Sequence, residues 1–129
     1  MIKGLKKSLP LILWAFLIFL GSSLRSAKAS DNGLVDFAAH KLVHLFEYGI
    51  LYFLYYRSVV VNIWEKKTDK IFQALLFVAV FGAFDEYHQS FVPGRSARIA
   101  DVTIDFIGGV LGLFVWWNLK RLAQKKQKS

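Results

Sequence analysis

The chain has 129 residues, is 55% hydrophobic, contains no cysteine, and carries a net charge of +8 from 17 lysines and arginines against nine acids. Without cysteine there is no disulfide framework and no thiolate chemistry, and the length suits a single domain spanning residues 1–129. The apolar residues stand in blocks with little alternation, a pattern of bilayer spans and not of a soluble core. The basic residues gather at the ends of those blocks, where they set orientation and meet membrane lipids with anionic head groups, so nucleic acid is not an expected partner.

Met1 to Lys7 is short and basic, and Ser8 to Leu24 then reads as an apolar helix near the lower end of spanning length. Ala27-Lys28-Ala29 has the small-x-small form of a signal-peptidase site, but the cations Arg25 and Lys28 in that region favour a retained helix. Asp31 to His40 reads as a polar connector opened by an Asp31-Asn32-Gly33 turn. A second helix is expected from Lys41 toward Trp64. Lys41, His44 and Glu47 or Tyr48 share one of its faces, and Glu47 lies about 9 Å along the axis from Lys41. Tyr52, Tyr55, Tyr56, Arg57 and Trp64 form an aromatic belt with a snorkelling arginine.

Glu65 to Lys70 reads as a charged loop, and a third helix follows from Ile71. Its apolar run ends at Phe84, too soon to cross a bilayer, so Asp85, Glu86, His88 and Gln89 must lie within membrane depth. Ionisable groups there cost about 3 kcal/mol each on insertion scales and mark functional sites by default. A re-entrant turn around Pro93-Gly94 is expected to lead to a fourth helix from Asp101 to Trp117, with Asp101 and Asp105 inside the span. In it Gly108, Gly109 and Gly112 provide a small-xxx-small pair for close helix approach. Residues 120–129 form a basic tail expected to fray into the cytosol. Twelve of the 17 basic residues fall on the side of the two termini, which places both termini in the cytoplasm, and seven of the nine acids face outward.

The expected fold is therefore all-α, a four-helix transmembrane bundle with a polar re-entrant loop between helices 3 and 4. Three helices bring His44 and Glu47, Asp85, Glu86 and His88, and Asp101 and Asp105 to one outer level, with Arg95 and Arg98 in the adjoining loop. These groups have a purely structural use, satisfying one another and capping helix ends with Arg95 clamped on Asp101 or Glu86. They equally suit a site for a polar or anionic head group. His44, Glu47, Asp85 and His88 have a spacing that permits a metal without indicating one, and no resident metal or cofactor is expected. An acid–base pair is open to the same residues, and the spacing does not choose.

The elements His44-x-x-Glu47-Tyr48, Asp85-Glu86-x-His88-Gln89, Pro93-Gly94-Arg95 and Asp101-x-x-x-Asp105, followed by Gly108 and Gly112, resemble in content and order the VanZ-like family of small bacterial membrane proteins. Lys41 ahead of His44 also fits, and the likeness covers residues 36–117. The family is named for a protein linked to teicoplanin resistance, and its members have no established reaction. The resemblance implies a multi-pass protein of the bacterial plasma membrane. Its ligand would be amphiphilic or anionic, such as a lipid-linked cell-wall precursor or a glycopeptide. Lys41, His44, Glu47, Glu86, His88, Gln89, Asp101 and Asp105 would line the site, and Arg95 would grip phosphate or carboxylate. The alternative is a hydrolase or phosphatase acting on polyprenyl-phosphate lipids, with His88, Glu86 and Asp85 as catalytic candidates. Proton-coupled transport is a third class, disfavoured because the inner halves of the helices lack matching ionisable residues.

Overall fold

The computed structural model describes residues 2–24, 31–58, 67–93, 95 and 97–126. Expectations that fall on Arg25, Lys28, Trp64, Glu65, Lys66 and Gly94 lie outside the described residues. Four helices account for nearly all of the rest: α1 (Ile2–Ser23), α2 (Gly33–Ser58), α3 (Lys67–Gln89) and α4 (Ile99–Lys126). There is no strand among the described residues.

Each helix runs further than apolar content alone indicates. α2 starts at Gly33 and not near Lys41, because Asn32 caps it: its Oδ1 accepts from the backbone N–H of Leu34 at 3.0 Å and of Val35 at 3.4 Å. A side-chain oxygen at this position satisfies donors that the first helical turn otherwise leaves open. The polar stretch up to His40 is therefore helical and not a connector. α3 likewise takes in Lys67 to Lys70, and α4 continues through the basic residues to Lys126 and does not fray after Trp117. Pro10 sits inside α1 without ending it.

α2 touches all three other helices, and α3 does the same. Among the described residues α1 and α4 do not meet, so α2 and α3 form the middle of the bundle with α1 and α4 on opposite sides. Sequence distribution explains the arrangement. The acids of α3 need partners on both flanks, and α2 carries Lys41, His44 and Glu47 along a run otherwise rich in Leu, Phe and Tyr.

Burial runs opposite to that of a soluble protein. Asp85 and Asp105 are 0% exposed, whereas Phe46 is 71% and Phe72 68% exposed. Large apolar side chains turned outward with charges turned inward suit a solvent of lipid tails, in which intramembrane charge faces the bundle interior. Among the described residues three helices are long and apolar enough to cross a membrane, over Lys6–Ser23, Thr68–Gln89 and Ile99–Lys126. The apolar core is small and sits beneath the polar layer: Ile18, Tyr48, Leu51, Tyr52, Ala74 and Val78.

Two contacts fix the depth at which the helices cross. Trp14 of α1 donates its indole N–H to the carbonyl of Glu47 at 2.9 Å. On the other side α2 and α4, which run in the same direction, meet backbone to backbone. A Cβ added to Gly108 would stand 2.7 Å from the carbonyl oxygen of Leu45, and one added to Gly112 would stand 2.5 Å from that of Gly49. The small-residue pair in α4 thus admits α2, while Gly109 admits Val78 of α3.

Candidate functional site

The C-terminal ends of α1 and α3 and the N-terminal halves of α2 and α4 lie at one end of the bundle, and the ionisable residues collect there. Between α2 and α4 the polar pairs continue the line of the glycine contacts by one and two turns. Lys41 Nζ meets Asp101 Oδ1 at 2.5 Å, and His44 Nδ1 meets Asp105 Oδ1 at 2.8 Å. With Asp105 ionised, Nδ1 of His44 carries the proton and donates it. Gly82 of α3 gives Asp105 its space, since a Cβ there would be 3.2 Å from both Cβ and Oδ2 of Asp105 and 3.4 Å from the Tyr48 ring.

α3 spreads its polar residues to both neighbours. Asp85 Oδ2 accepts from the Ser22 hydroxyl of α1 at 2.7 Å and from Gln89 Nε2 at 2.8 Å. His88 Nε2 is 2.9 Å from the Ser23 hydroxyl, and its ring centroid lies 4.2 Å from that of Phe19. Glu86 turns the other way, and its Oε2 accepts from the backbone N–H of Arg98 at 3.0 Å. That N–H stands at the start of α4, where a helix leaves donors open and favours negative charge, so Glu86 acts as a cap supplied from another helix.

Arg95 is placed differently from the clamp on Asp101 or Glu86 that its charge suggests. Its Nη2 donates to the Gly21 carbonyl at 2.9 Å and its Nε to the Leu24 carbonyl at 3.2 Å. The Gly21 carbonyl already accepts from the Leu24 N–H at 3.2 Å and takes the guanidinium on its second lone pair, while the Leu24 carbonyl lies just past the end of α1. Lys41 and the Arg98 backbone take the acids in its stead.

The sequence-derived residues therefore form two linked groups. Lys41, His44, Asp101, Asp105 and Glu86 lie about the α2–α4 seam, and Asp85, His88, Gln89 and Arg95 lie against α1. Glu47 is half-buried between them, within electrostatic reach of His44, Asp85, Asp105 and Arg95. Asp85, Glu86 and His88 share no hydrogen bond with one another, each being engaged by a different partner. The four-ligand metal arrangement from His44, Glu47, Asp85 and His88 is not formed, because the two imidazoles bond to different helices. No three His, Asp or Glu side chains among the described residues group as metal ligands. Sequence reasoning missed Ser22, Ser23 and Gly82. The only signal for the serines is a pair of hydroxyls closing an apolar run, and Gly82 stands alone in another.

The hydrogen bonding is incomplete in one respect. Asp85 Oδ1 and Glu86 Oε1 are buried without a partner, as is Tyr52 Oη in the apolar core, while the Tyr48 hydroxyl and Asp105 Oδ2 lie within reach of each other. Buried polar atoms in folded proteins are nearly always paired, so the free carboxylate oxygens of Asp85 and Glu86 leave acceptor capacity directed at something further.

No curated protein and no solved structure matches the chain. The family model described as VanZ/LLP1 matches residues 8–121, a span that takes in most of α1, all of α2 and α3, and α4 as far as Arg121. On that match, which covers the polar layer in full, the chain is a member of the VanZ/LLP1 family.

Proposed function

We propose that this VanZ-like membrane protein binds an amphiphilic ligand at its polar layer, of the class of a lipid-linked cell-wall intermediate or a lipoglycopeptide such as teicoplanin. The observation that carries this reading is the pair of buried, unpartnered carboxylate oxygens on Asp85 and Glu86. Carboxylate oxygens only accept, so their complement is a head group rich in hydroxyl, amide or ammonium donors. An anionic part of the same head group would be met by Arg95, which has five N–H donors and uses two of them on α1. The distribution of basic residues supports an orientation with both termini in the cytoplasm of a bacterium and the polar layer, with its re-entrant loop, toward the outer face of the plasma membrane. Residues 36–117 would then form the working part of one domain. A hydrolase built on His88 draws less support, because Asp85 and Glu86 are both directed away to other partners.

The test is binding of teicoplanin and of a polyprenyl-linked cell-wall precursor to the protein in lipid nanodiscs. Glu86→Gln keeps an acceptor for the Arg98 N–H and removes the charge. It is expected to weaken binding by about tenfold, the scale of a hydrogen bond to a charged group. Wild-type protein that holds neither compound, or a folded Glu86→Gln protein that binds as wild type does, overturns the reading.

A further inference from the structure

From just beside the polar layer toward the opposite end of the helices, a groove of about 550 Å³ runs along the α2–α4 pair. It extends from Leu42 to Phe53 on α2 and from Gly108 to Leu119 on α4, a length of about 17 Å at 1.5 Å per residue. Gly49, Gly108 and Gly112 form its floor, and side chains such as Phe46, Leu111 and Val115 form its walls. An apolar groove of that length and volume suits a hydrocarbon chain lying along it.

Beyond the end of the groove nearer the C-terminus of α4 stand two lysines. Trp116 lines that end, and Lys120 Nζ stands 5.2 Å above the Trp116 ring. The Tyr56 ring lies 4.5 Å from Trp116 and carries the ammonium of Lys70 at 5.9 Å on its own face. Lys70 is 8% exposed, unusual for a lysine. Two ammonium groups held over an aromatic pair at the mouth of an apolar slot complement a phosphate attached to a long alkyl chain.

We infer that this groove holds one acyl chain of an anionic phospholipid, with the phosphate at Lys70 and Lys120. The head-group end of the groove, at Trp116 and Lys120, lies away from the polar layer, and the inference does not depend on the ligand proposed there. A zwitterionic lipid fits the slot equally well but presents no net charge to the two lysines, so selectivity resides in the head group. A second copy of this chain seated on the same face would instead give a dimer that Val115→Trp abolishes.

The experiment is native mass spectrometry of the full-length protein released from nanodiscs of equal phosphatidylglycerol and phosphatidylcholine. Wild-type protein is expected to retain one lipid per chain, with phosphatidylglycerol enriched by roughly tenfold. The Lys70→Gln/Lys120→Gln protein should retain a lipid without that enrichment. Val115→Trp, which fills the slot, should retain neither, whereas Phe72→Trp on a lipid-facing surface elsewhere should behave as wild type. A phosphatidylcholine carrying a diazirine on its acyl chain gives a reading on wild-type protein alone, with adducts expected at Phe46, Ile50, Leu111 and Val115. Equal retention of the two lipids by wild type, adducts spread evenly over Phe16, Phe72 and Val80, or a dimer abolished by Val115→Trp would each overturn the proposal.

Discussion

Replacing Gly112 with alanine is expected to destabilise the bundle by about 3 kcal/mol, the upper end of what overpacking costs in a well-packed interior. The added Cβ would stand 2.5 Å from the Gly49 carbonyl oxygen and 3.0 Å from its Cα, distances at which one helix has to move. Rotating a side chain gives no relief, because the opposing atoms are backbone. Gly108→Ala is expected to act in the same way through the Leu45 carbonyl, at 2.7 Å. Gly21→Ala is the internal control, since nothing lies within 4 Å of its Cβ position, and it is expected to stay within about 0.5 kcal/mol of wild type. Thermal unfolding in detergent, followed by tryptophan fluorescence, measures all three. Similar midpoints for Gly112→Ala and Gly21→Ala would show that α2 and α4 do not touch as described. Movement at this seam would also shift His44 away from Asp105 one turn above, so ligand binding should fall with stability.

The second large effect is expected at that pair. His44→Ala removes the imidazole partner of Asp105, whose side chain is 0% exposed, and leaves the carboxyl with only the nearby Tyr48 hydroxyl. Breaking a buried ion pair from one side costs about 3 kcal/mol, because the remaining charge is left without compensation. A neutral hydrogen bond between membrane helices is worth only about 0.6 kcal/mol, with a ceiling near 1.7. The two cases separate in a double-mutant cycle of His44→Ala, Asp105→Ala and both together. A coupling above about 2 kcal/mol is expected for the ionised pair, with the double variant more stable than the sum of the single changes predicts. Additive single effects would remove the pair from any account of the site.

What the sequence reveals about this molecule follows from which forces act locally. The apolar runs and their flanking charges mark four helices, because transfer into lipid depends on composition over some twenty residues. The early start of α2 at Gly33 depends on one hydrogen-bonding oxygen on Asn32, and Asp31-Asn32-Gly33 has the same composition whether it caps a helix or turns the chain. The spacing of Asp101 and Asp105 puts them on one face, yet it does not say that Lys41 takes the first and His44 the second. Arg95 is the clearest instance. A sequence displays the charge of Asp101 and Glu86 but not the Gly21 and Leu24 carbonyls where α1 ends, and those carbonyls are what the guanidinium finds. Ser22 and Ser23 escape notice for the converse reason: at the end of an apolar run a serine reads as a boundary, and only the docking of α1 on α3 brings both hydroxyls to Asp85 and His88.

The outward placement of residues such as Phe46 and Phe72 has a calorimetric consequence. The heat capacity of unfolding arises from apolar surface newly wetted by water. When these helices part inside a micelle, the phenylalanine and leucine side chains pass from one hydrocarbon medium to another and little surface is wetted. A water-soluble domain of this length would show a strongly curved stability profile, whereas this one should be nearly straight with temperature. Its resistance to cooling would then be set by hydrogen bonds and glycine contacts, with little contribution from ordered solvent.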